Sequence, residues 1–277
     1  MRTIAVLFFF LCVSLPAHSQ TLNELISLTW QKYNDVITTG QIPAELQPLH
    51  IQLTDRDPSV RIKAVQGLSL FGSPMGALLL LPAMDDSLER VAAVRIETAK
   101  GLGDVGGRQA LEVLGVGLQD RDPGVRMRVV ESLRWAGTVF AVPYIAMALN
   151  GDPASNKPRD PQVGVRLEAV RMLRKIGTQF SVQPLVDALI MDKDAMIRKA
   201  AADALGEVGK KERDAARYLG EAYQQEKDMG VKLEIIGSLG LVRDQAGLPY
   251  LKQAMLDRDI TLRMRATQVY GRVLGLQ

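Results

Sequence analysis

Apolar residues recur at helical spacing along most of the chain, and the pattern is clearest between Leu118 and Gly137. Asp122 is a residue type that caps free backbone N–H groups, and Pro123 follows at a first helical position, where no N–H is needed. Four apolar residues then share one helical face: Val125, Val129, Val130 and Leu133. Gly137 follows as a stop that can adopt a left-handed conformation. This stretch therefore predicts one amphipathic helix with defined ends.

The same unit recurs seven times. An apolar residue followed by a basic one marks each copy, at spacings of 34, 31, 40, 32, 34 and 31 residues: Val60-Arg61, Val94-Arg95, Val125-Arg126, Val165-Arg166, Ile197-Arg198, Val231-Lys232 and Leu262-Arg263. Glycines close the first five copies: Gly72, Gly106, Gly137, Gly177 and Gly209. A helical period of this length is typical of a solenoid whose units bury their faces against neighbours. We therefore expect an all-α fold of about seven helix-turn-helix repeats over residues 44–277.

Two segments depart from the repeat. Residues 20–43 hold an amphipathic helix, Thr21 to Thr39, that ends before Gly40 and Pro43 and has no counterpart later in the chain. We expect it to cap the exposed apolar end of the stack. Residues 150–162, rich in Pro, Gly and Asn, insert a loop between the helices of the fourth unit, and such insertions map to one rim of a solenoid.

Acidic and basic residues form two columns. The acidic column is predicted to cap helix starts and consists of Asp57, Asp122, Asp160, Asp194, Asp228 and Asp259; Val91 takes this position in the second unit. The basic column, one turn later, can reach carboxylates of its own or the adjacent loop. Because it repeats in every unit, we interpret it as a set of structural ties. The alternative is a row of ligand-binding arginines.

The repeated pattern Leu-x-Asp-x-Asp-Pro-x-Val-Arg, followed by Ala/Val, Leu, Gly and Ala-Val-Pro, resembles the HEAT repeat. It is most similar to the short form first named for phycobilisome bilin lyases, and the resemblance covers about Ala44 to Gly275. It implies a right-handed α-solenoid of the armadillo/HEAT type whose second helices line the concave side. It does not imply a single activity, because one fold hosts many functions.

The first nineteen residues have the features of a secretory signal peptide. Arg2 precedes an apolar run from Ile4 to Val13, and a small-x-small end predicts cleavage near Ser19. The run is too short to cross a bilayer, which needs about 20 residues. Cleavage would also remove Cys12, the only cysteine, which argues against structural disulfides and a zinc cluster in the mature chain. We therefore expect a periplasmic or secreted protein without an integral membrane span.

The chain contains no sequence motif that is typical of an enzyme. His50 is the only histidine beyond the leader, and no phosphate loop, nucleophile elbow or zinc-binding motif occurs, so we expect no cofactor and no metal. The formal net charge is only +3. The charge two residues after each basic residue alternates in sign along the stack, so these positions form no continuous basic track for phosphates, and nucleic acid is not expected as a partner. The alternative is a HEAT-type enzyme, similar to a bilin lyase or an oxidoreductase.

The function predicted is therefore that of an exported scaffold or adaptor, which binds another protein through its concave face. The partner-binding hypothesis centres on two second helices, in units three and four. Three residues of unit three share an outward face at helical spacing, and three counterparts follow in unit four: Arg128, Glu131 and Trp135, then Glu168, Arg171 and Lys175. No packing rule of the repeat demands an aromatic residue at Trp135, and a Trp with arginines is typical of a binding hot spot. The alternative is that Trp135 fills a gap against a neighbouring helix.

Overall fold

The computed structural model describes residues 21–276 apart from 153, 155 and 213, and these residues form sixteen α-helices and no β-strand. The predicted signal peptide, with Cys12 and Ser19, lies outside them. The helices in chain order are α1 (Leu22–Thr39), α2 (Gln47–Gln52), α3 (Pro58–Leu70), α4 (Pro74–Leu79), α5 (Leu81–Met84), α6 (Ala92–Val105), α7 (Gly107–Gly117), α8 (Pro123–Gly137), α9 (Val142–Asn150), α10 (Val163–Ile176), α11 (Val182–Met191), α12 (Ala195–Val208), α13 (Ala215–Gln225), α14 (Met229–Val242), α15 (Leu248–Ala254) and α16 (Ile260–Val273). Short 3-10 helices precede the last four first helices, at Val139–Ala141, Gln179–Ser181, Gly209–Lys211 and Gln245–Gly247.

The helices pair into seven units: α2/α3, α4-α5/α6, α7/α8, α9/α10, α11/α12, α13/α14 and α15/α16. In unit two the first helix is divided between α4 and α5, where Pro82 begins a new turn. The second helices pack in sequence from α3 to α16 and form one layer, and neighbouring first helices pack beside them in the other. The core lies between the layers. From unit two onward, the apolar residue before each basic one is at most 1% exposed. The predicted all-α solenoid is confirmed.

Acidic side chains cap most second helices, as expected. Asp57, Asp122, Asp194, Asp228 and Asp259 each accept a hydrogen bond from a backbone N–H in the first turn of the helix that follows. The prediction for Asp160 is wrong, because α10 begins two residues later than assumed and its N-cap is Gln162, whose side chain makes no capping bond.

The predicted helix stops differ in their physical role. Gly106 and Gly177 follow their helices with positive φ angles of 68° and 62°, as expected for glycine stops. Gly137 instead belongs to the last turn of α8, and its φ angle is not positive. A Cβ atom there would lie 2.8 Å from the Cδ1 atom of Leu111. Glycine at this position therefore permits close packing of α8 on α7, and the left-handed stop predicted for Gly137 is wrong.

Helix α1 lies along the layer of first helices. Thr21 and Glu24 form a capping box at its start, and Gly40 ends it in the left-handed conformation. Its body packs on α4 and α7, and the Tyr33 hydroxyl lies 3.0 Å from the Nε2 atom of His50 in unit one. At its other end, the Leu22 N–H donates to Asp152 in unit four. The expected cap over the end of the stack is therefore corrected: α1 runs across units one to four, because its apolar residues pack against the layer of first helices.

Candidate protein-binding surface

The basic column forms a ladder between units. Five arginines each donate two hydrogen bonds, from Nε and NH2, to one carboxylate of the next unit, at 2.5–3.2 Å; the pairs are Arg61–Glu89, Arg95–Asp120, Arg126–Asp160, Arg166–Asp192 and Arg198–Glu226. The NH1 group of each donates to a backbone carbonyl six residues earlier in the chain. Forked, charge-assisted contacts of this kind fix geometry as well as adding stability. We call these pairs the arginine ladder.

The ladder carboxylates occupy a fixed place in the repeat. Each lies six residues before the basic residue of its own unit, and one of its oxygens also accepts the N–H two residues later, as Asp160 does from Gln162 at 2.9 Å. Asp160 therefore belongs to the ladder instead of the capping column. Each carboxylate thus joins the arginine of the preceding unit to the start of its own second helix.

These contacts lower the pKa of two ladder carboxylates. Burial raises the pKa of the Asp192 carboxyl, but hydrogen bonds from Arg166 and the Asp194 N–H outweigh it, so the pKa of Asp192 lies below its usual value. The same balance, with Arg198 as donor, lowers the pKa of Glu226. Both carboxylates are therefore held ionised in the folded protein at neutral pH.

The arginines are engaged and largely covered, as a structural tie requires. Their side chains are between 1% and 17% exposed in the five complete pairs. A row of ligand-binding arginines would present free donors to solvent. The geometry therefore favours the structural interpretation of the basic column over the ligand-binding one.

The ladder is interrupted between units six and seven. Lys232 stands where the other units have arginine, and its Nζ atom lies 5.5 Å from the ring centre of Tyr223. Within the described part of the chain, Lys232 makes no ion pair with Asp257. The Tyr223 hydroxyl approaches Asp257 instead, at 3.5 Å, and burial raises the pKa of Tyr223 to about 12, which keeps this donor protonated. One weak contact thus replaces a forked pair.

Five of the six residues of the partner-binding hypothesis are exposed or half-buried on the outer side of α8 and α10, which we call the second-helix surface, whereas the Glu168 side chain is only 12% exposed. Arg128 pairs with Glu131 at 2.7 Å, and Arg171 pairs with Glu168 at 3.0 Å, each within its own helix. Lys175 is exposed and makes no ion pair with any described residue. The structure therefore places all six residues on one layer but does not join the two helices through them.

Trp135 is the most distinctive residue of this surface. Its side chain is 65% exposed, so it fills no gap in the core, and that alternative is excluded. The guanidinium of Arg134 lies 4.3 Å from the ring centre, a distance at which a cation is attracted to an aromatic face. An exposed indole held beside a cation offers a partner a large apolar contact next to hydrogen-bond donors.

Sequence reasoning missed two residues near this end of α8. Arg134 directly precedes Trp135 and lies three residues after Glu131, so helical spacing could have included it. Phe140 lies in the 3-10 helix after α8 and is 74% exposed. Phe180 occupies the matching 3-10 helix after α10 and is 40% exposed. An aromatic residue at the middle of two successive 3-10 helices was the available signal.

The inserted loop lies at the opposite rim from Trp135. Asp160, at the end of the loop, contacts Arg126 in the first turn of α8, whereas Trp135 lies nine residues further along that helix. At a rise of about 1.5 Å per residue, the separation along the axis is about 14 Å. The loop therefore joins the same pair of units as the second-helix surface but forms no part of it.

Two other features are absent from the described residues. No group of three or more His, Cys, Asp or Glu side chains is arranged to hold a metal ion. None of the described helices is both long and apolar enough to span a bilayer.

A protein family and solved structures resemble this chain. No curated protein matches the chain in sequence. Two similar solved structures are human deoxyhypusine hydroxylase in complex with glycerol (17% identity, 93% of this chain and 92% of that one, TM-score 0.41) and the complex of CpcE and CpcF of phycocyanin lyase from Nostoc (19% identity, 84% and 98%, TM-score 0.42). HEAT repeats match at residues 92–157, 158–228 and 182–271, which together span more than half of the chain. The chain therefore belongs to the HEAT-repeat family.

Proposed function

We propose that this protein is an exported scaffold, periplasmic or secreted, that binds another protein through the second-helix surface centred on Trp135. The observation that supports the proposal is the 65% exposure of Trp135 with Arg134 stacked on its ring. Exposed tryptophan costs solvation free energy and adds nothing to the core, whereas Trp and Arg are the residue types most enriched at binding hot spots. Export rests on residues 1–19 and on the cleavage site predicted near Ser19.

The charges around Trp135 indicate what the partner presents. Arg134 and Lys175 have no ion-pair partner among the described residues, and Arg171, though paired with Glu168, is 59% exposed on its side chain. A partner with an apolar side chain for the indole and carboxylates for these cations would fit the surface. Arg128 and Glu131 neutralise one another and would lie at its rim, where charges contribute little to affinity.

A site-specific crosslinking experiment tests the proposal. A photo-crosslinking amino acid placed at Lys175, in the native cell envelope, should trap one protein reproducibly, and the same group at Met191 should not. Met191 is the matched control because it is 65% exposed, as Trp135 is, but lies at the end of a first helix.

The trapped protein is then purified and its affinity measured. Trp135→Ala should weaken binding by about 2 kcal/mol or more, which is the hot-spot range, and Arg171→Glu should also weaken it. Met191→Ala should bind as the wild type does, and all three variants should keep the wild-type melting curve. Equal affinity of Trp135→Ala and Met191→Ala for the trapped protein would refute the proposed surface. N-terminal sequencing of the envelope fraction tests export, and a mature start at Gln20 is expected.

A further inference from the structure

An open pocket of about 400 Å³ lies among units five, six and seven, away from the second-helix surface. Its charged lining is entirely basic: Lys210, Arg243 and Arg272. Gly240 and the half-buried Leu241 and Val242 complete the wall. Lys210 lies in the 3-10 helix between units five and six, Arg243 ends the second helix of unit six, and Arg272 belongs to unit seven, so the pocket exists only because the units are stacked.

Two of the three cations have no partner among the residues that the structure describes. Among the described residues, neither Arg243 nor Arg272 donates a side-chain hydrogen bond or forms an ion pair. Lys210 pairs with Glu207 at 2.7 Å, but this pair is partly exposed, at 44% and 37%, and Glu207 does not line the pocket. Elsewhere in this chain arginines at unit junctions are satisfied by carboxylates, as in the arginine ladder. At this junction, by contrast, the two arginines have no carboxylate partner among the described residues.

Arg243 also has an unusual backbone conformation. It ends α14 in the left-handed region, with φ of 56° and ψ of 31°. Gly177 makes the same stop in unit four, with φ of 62° and ψ of 28°. Side chains other than glycine and asparagine are disfavoured there, so an arginine at this position is strained. Glycine would make the stop more easily but would remove one of the pocket's cations.

From these observations we infer that the pocket binds an oxyanion, namely a phosphate or carboxylate group. A guanidinium matches two oxygens of either group with parallel N–H donors, and the neighbouring lysine adds charge. The apolar wall leaves room for carbon atoms attached to the anionic group. Both arginines also lie at helix C-termini, where a positive charge interacts favourably with the helix dipole. Stabilising the helix ends requires no ligand, so a binding measurement distinguishes that role from oxyanion binding.

The test uses the purified chain without its leader, titrated by calorimetry in low salt with inorganic phosphate and, separately, with acetate. Saturable binding of at least one anion is expected, with a Kd of about 1 mM or lower. Arg243→Gly combined with Arg272→Gln should weaken it about tenfold or more, since each change removes a charge-assisted contact. Arg258→Gln is the matched control, because Arg258 is an exposed arginine on the opposite rim whose side chain makes no described contact.

The two titrations also distinguish the source of the anion. Binding of phosphate alone assigns the pocket to phosphorylated ligands, and binding of acetate alone assigns it to carboxylates. The inference is overturned if neither anion binds saturably below about 20 mM, more than tenfold above the expected Kd. It is also overturned if the double variant and Arg258→Gln bind equally well. Melting curves of both variants exclude unfolding as the cause of weaker anion binding. Arg243→Gly by itself should melt no lower than the wild type if the backbone strain at Arg243 outweighs its interaction with the helix dipole.

Discussion

Removal of one ladder arginine tests whether these pairs hold neighbouring units together. Arg126→Ala deletes two hydrogen bonds to Asp160, at 2.5 and 3.0 Å, and one to the Asp120 carbonyl at 2.7 Å. Asp160 is 8% exposed and would keep only the Gln162 N–H among these contacts. Breaking a buried ion pair costs about 3–5 kcal/mol, because the remaining charge is left uncompensated.

We expect a loss of about 3 kcal/mol for Arg126→Ala, at the low end of that range, because Asp160 keeps one donor and can reach water. For a domain of this size, about 3 kcal/mol corresponds to a fall in Tm of roughly 6–12 °C. Arg128→Ala is the matched control, two residues along the same helix. Its pair with Glu131 is about 40% exposed on both sides, so its removal should cost no more than about 0.5 kcal/mol.

Urea unfolding followed by circular dichroism measures both variants, and a double-mutant cycle with Asp160→Ala isolates the pair. A coupling energy of about 2 kcal/mol or more between positions 126 and 160 is expected for a buried charged contact. A loss for Arg126→Ala that does not exceed the loss for Arg128→Ala would refute the structural role of the ladder. So would weaker binding of the trapped partner with an unchanged unfolding curve, since the arginine would then be a ligand-binding residue.

Three further predictions concern single positions. Lys232→Arg should raise the free energy of unfolding by about 1 kcal/mol, because an arginine there can form the missing pair with Asp257; an unchanged or lower midpoint in urea would contradict this. Gly220→Ala should destabilise the folded protein by about 1–3 kcal/mol, since its Cβ atom would lie 2.0 Å from the Tyr250 ring. The control Gly237→Ala should stabilise it by about 0.5–1 kcal/mol, because a Cβ atom there meets only the end of the Arg265 side chain. Equal melting temperatures of the two variants would show that the Tyr250 ring is free to move. Burial lowers the pKa of His50, so as the pH falls His50 takes up a proton in the unfolded chain before it does so in the folded protein. The contribution of neutral His50 to stability is therefore complete above about pH 6.5 and is lost as the pH drops towards the folded-state pKa. His50→Gln should flatten this dependence between pH 7.5 and 5.5, and a variant that keeps the wild-type slope would rule His50 out as its source.

Helical spacing and the apolar-basic pair were sufficient to predict the units, because every second helix needs one buried face and one start signal. The role of Asp160 could not be obtained in the same way. Asp160-Pro161 imitates the Asp-Pro start of α8, but the insertion shifts the helix by two residues, and Gln162 becomes the cap. Counting back six residues from each basic residue would have separated the ladder carboxylates from the caps. That register becomes meaningful only once the arginines are seen to reach the next unit.

The position of α1 and the role of Trp135 depend on features that a repeat pattern does not encode. An amphipathic helix has the same sequence signature whether it covers the end of a stack or a groove along its side, and only the shape of the first-helix layer decides between them. Exposure of Trp135 likewise depends on how far the neighbouring unit overlaps it. The candidate residues could therefore be named from the sequence, but the alternative of core packing could be excluded only by the measured exposure.

The interrupted ladder and the basic pocket lie at the same junction, and together they predict that the last unit is sensitive to anions. Lys232 and Tyr223 leave units six and seven without a forked pair at one rim, while Arg243 of unit six and Arg272 of unit seven face an open pocket at the other. Mutual repulsion of these cations favours separation of the two units, and an oxyanion between them would replace it with attraction. In a solenoid each unit contacts only its neighbours, so a weak junction allows local opening of the terminal unit. Phosphate, or acetate if that is the anion bound, should therefore slow amide hydrogen exchange in α16 more than in α8, and Arg243→Gly with Arg272→Gln should abolish the difference. Equal slowing of exchange in both helices would show that the anion acts on the whole chain by a general salt effect and not at this junction.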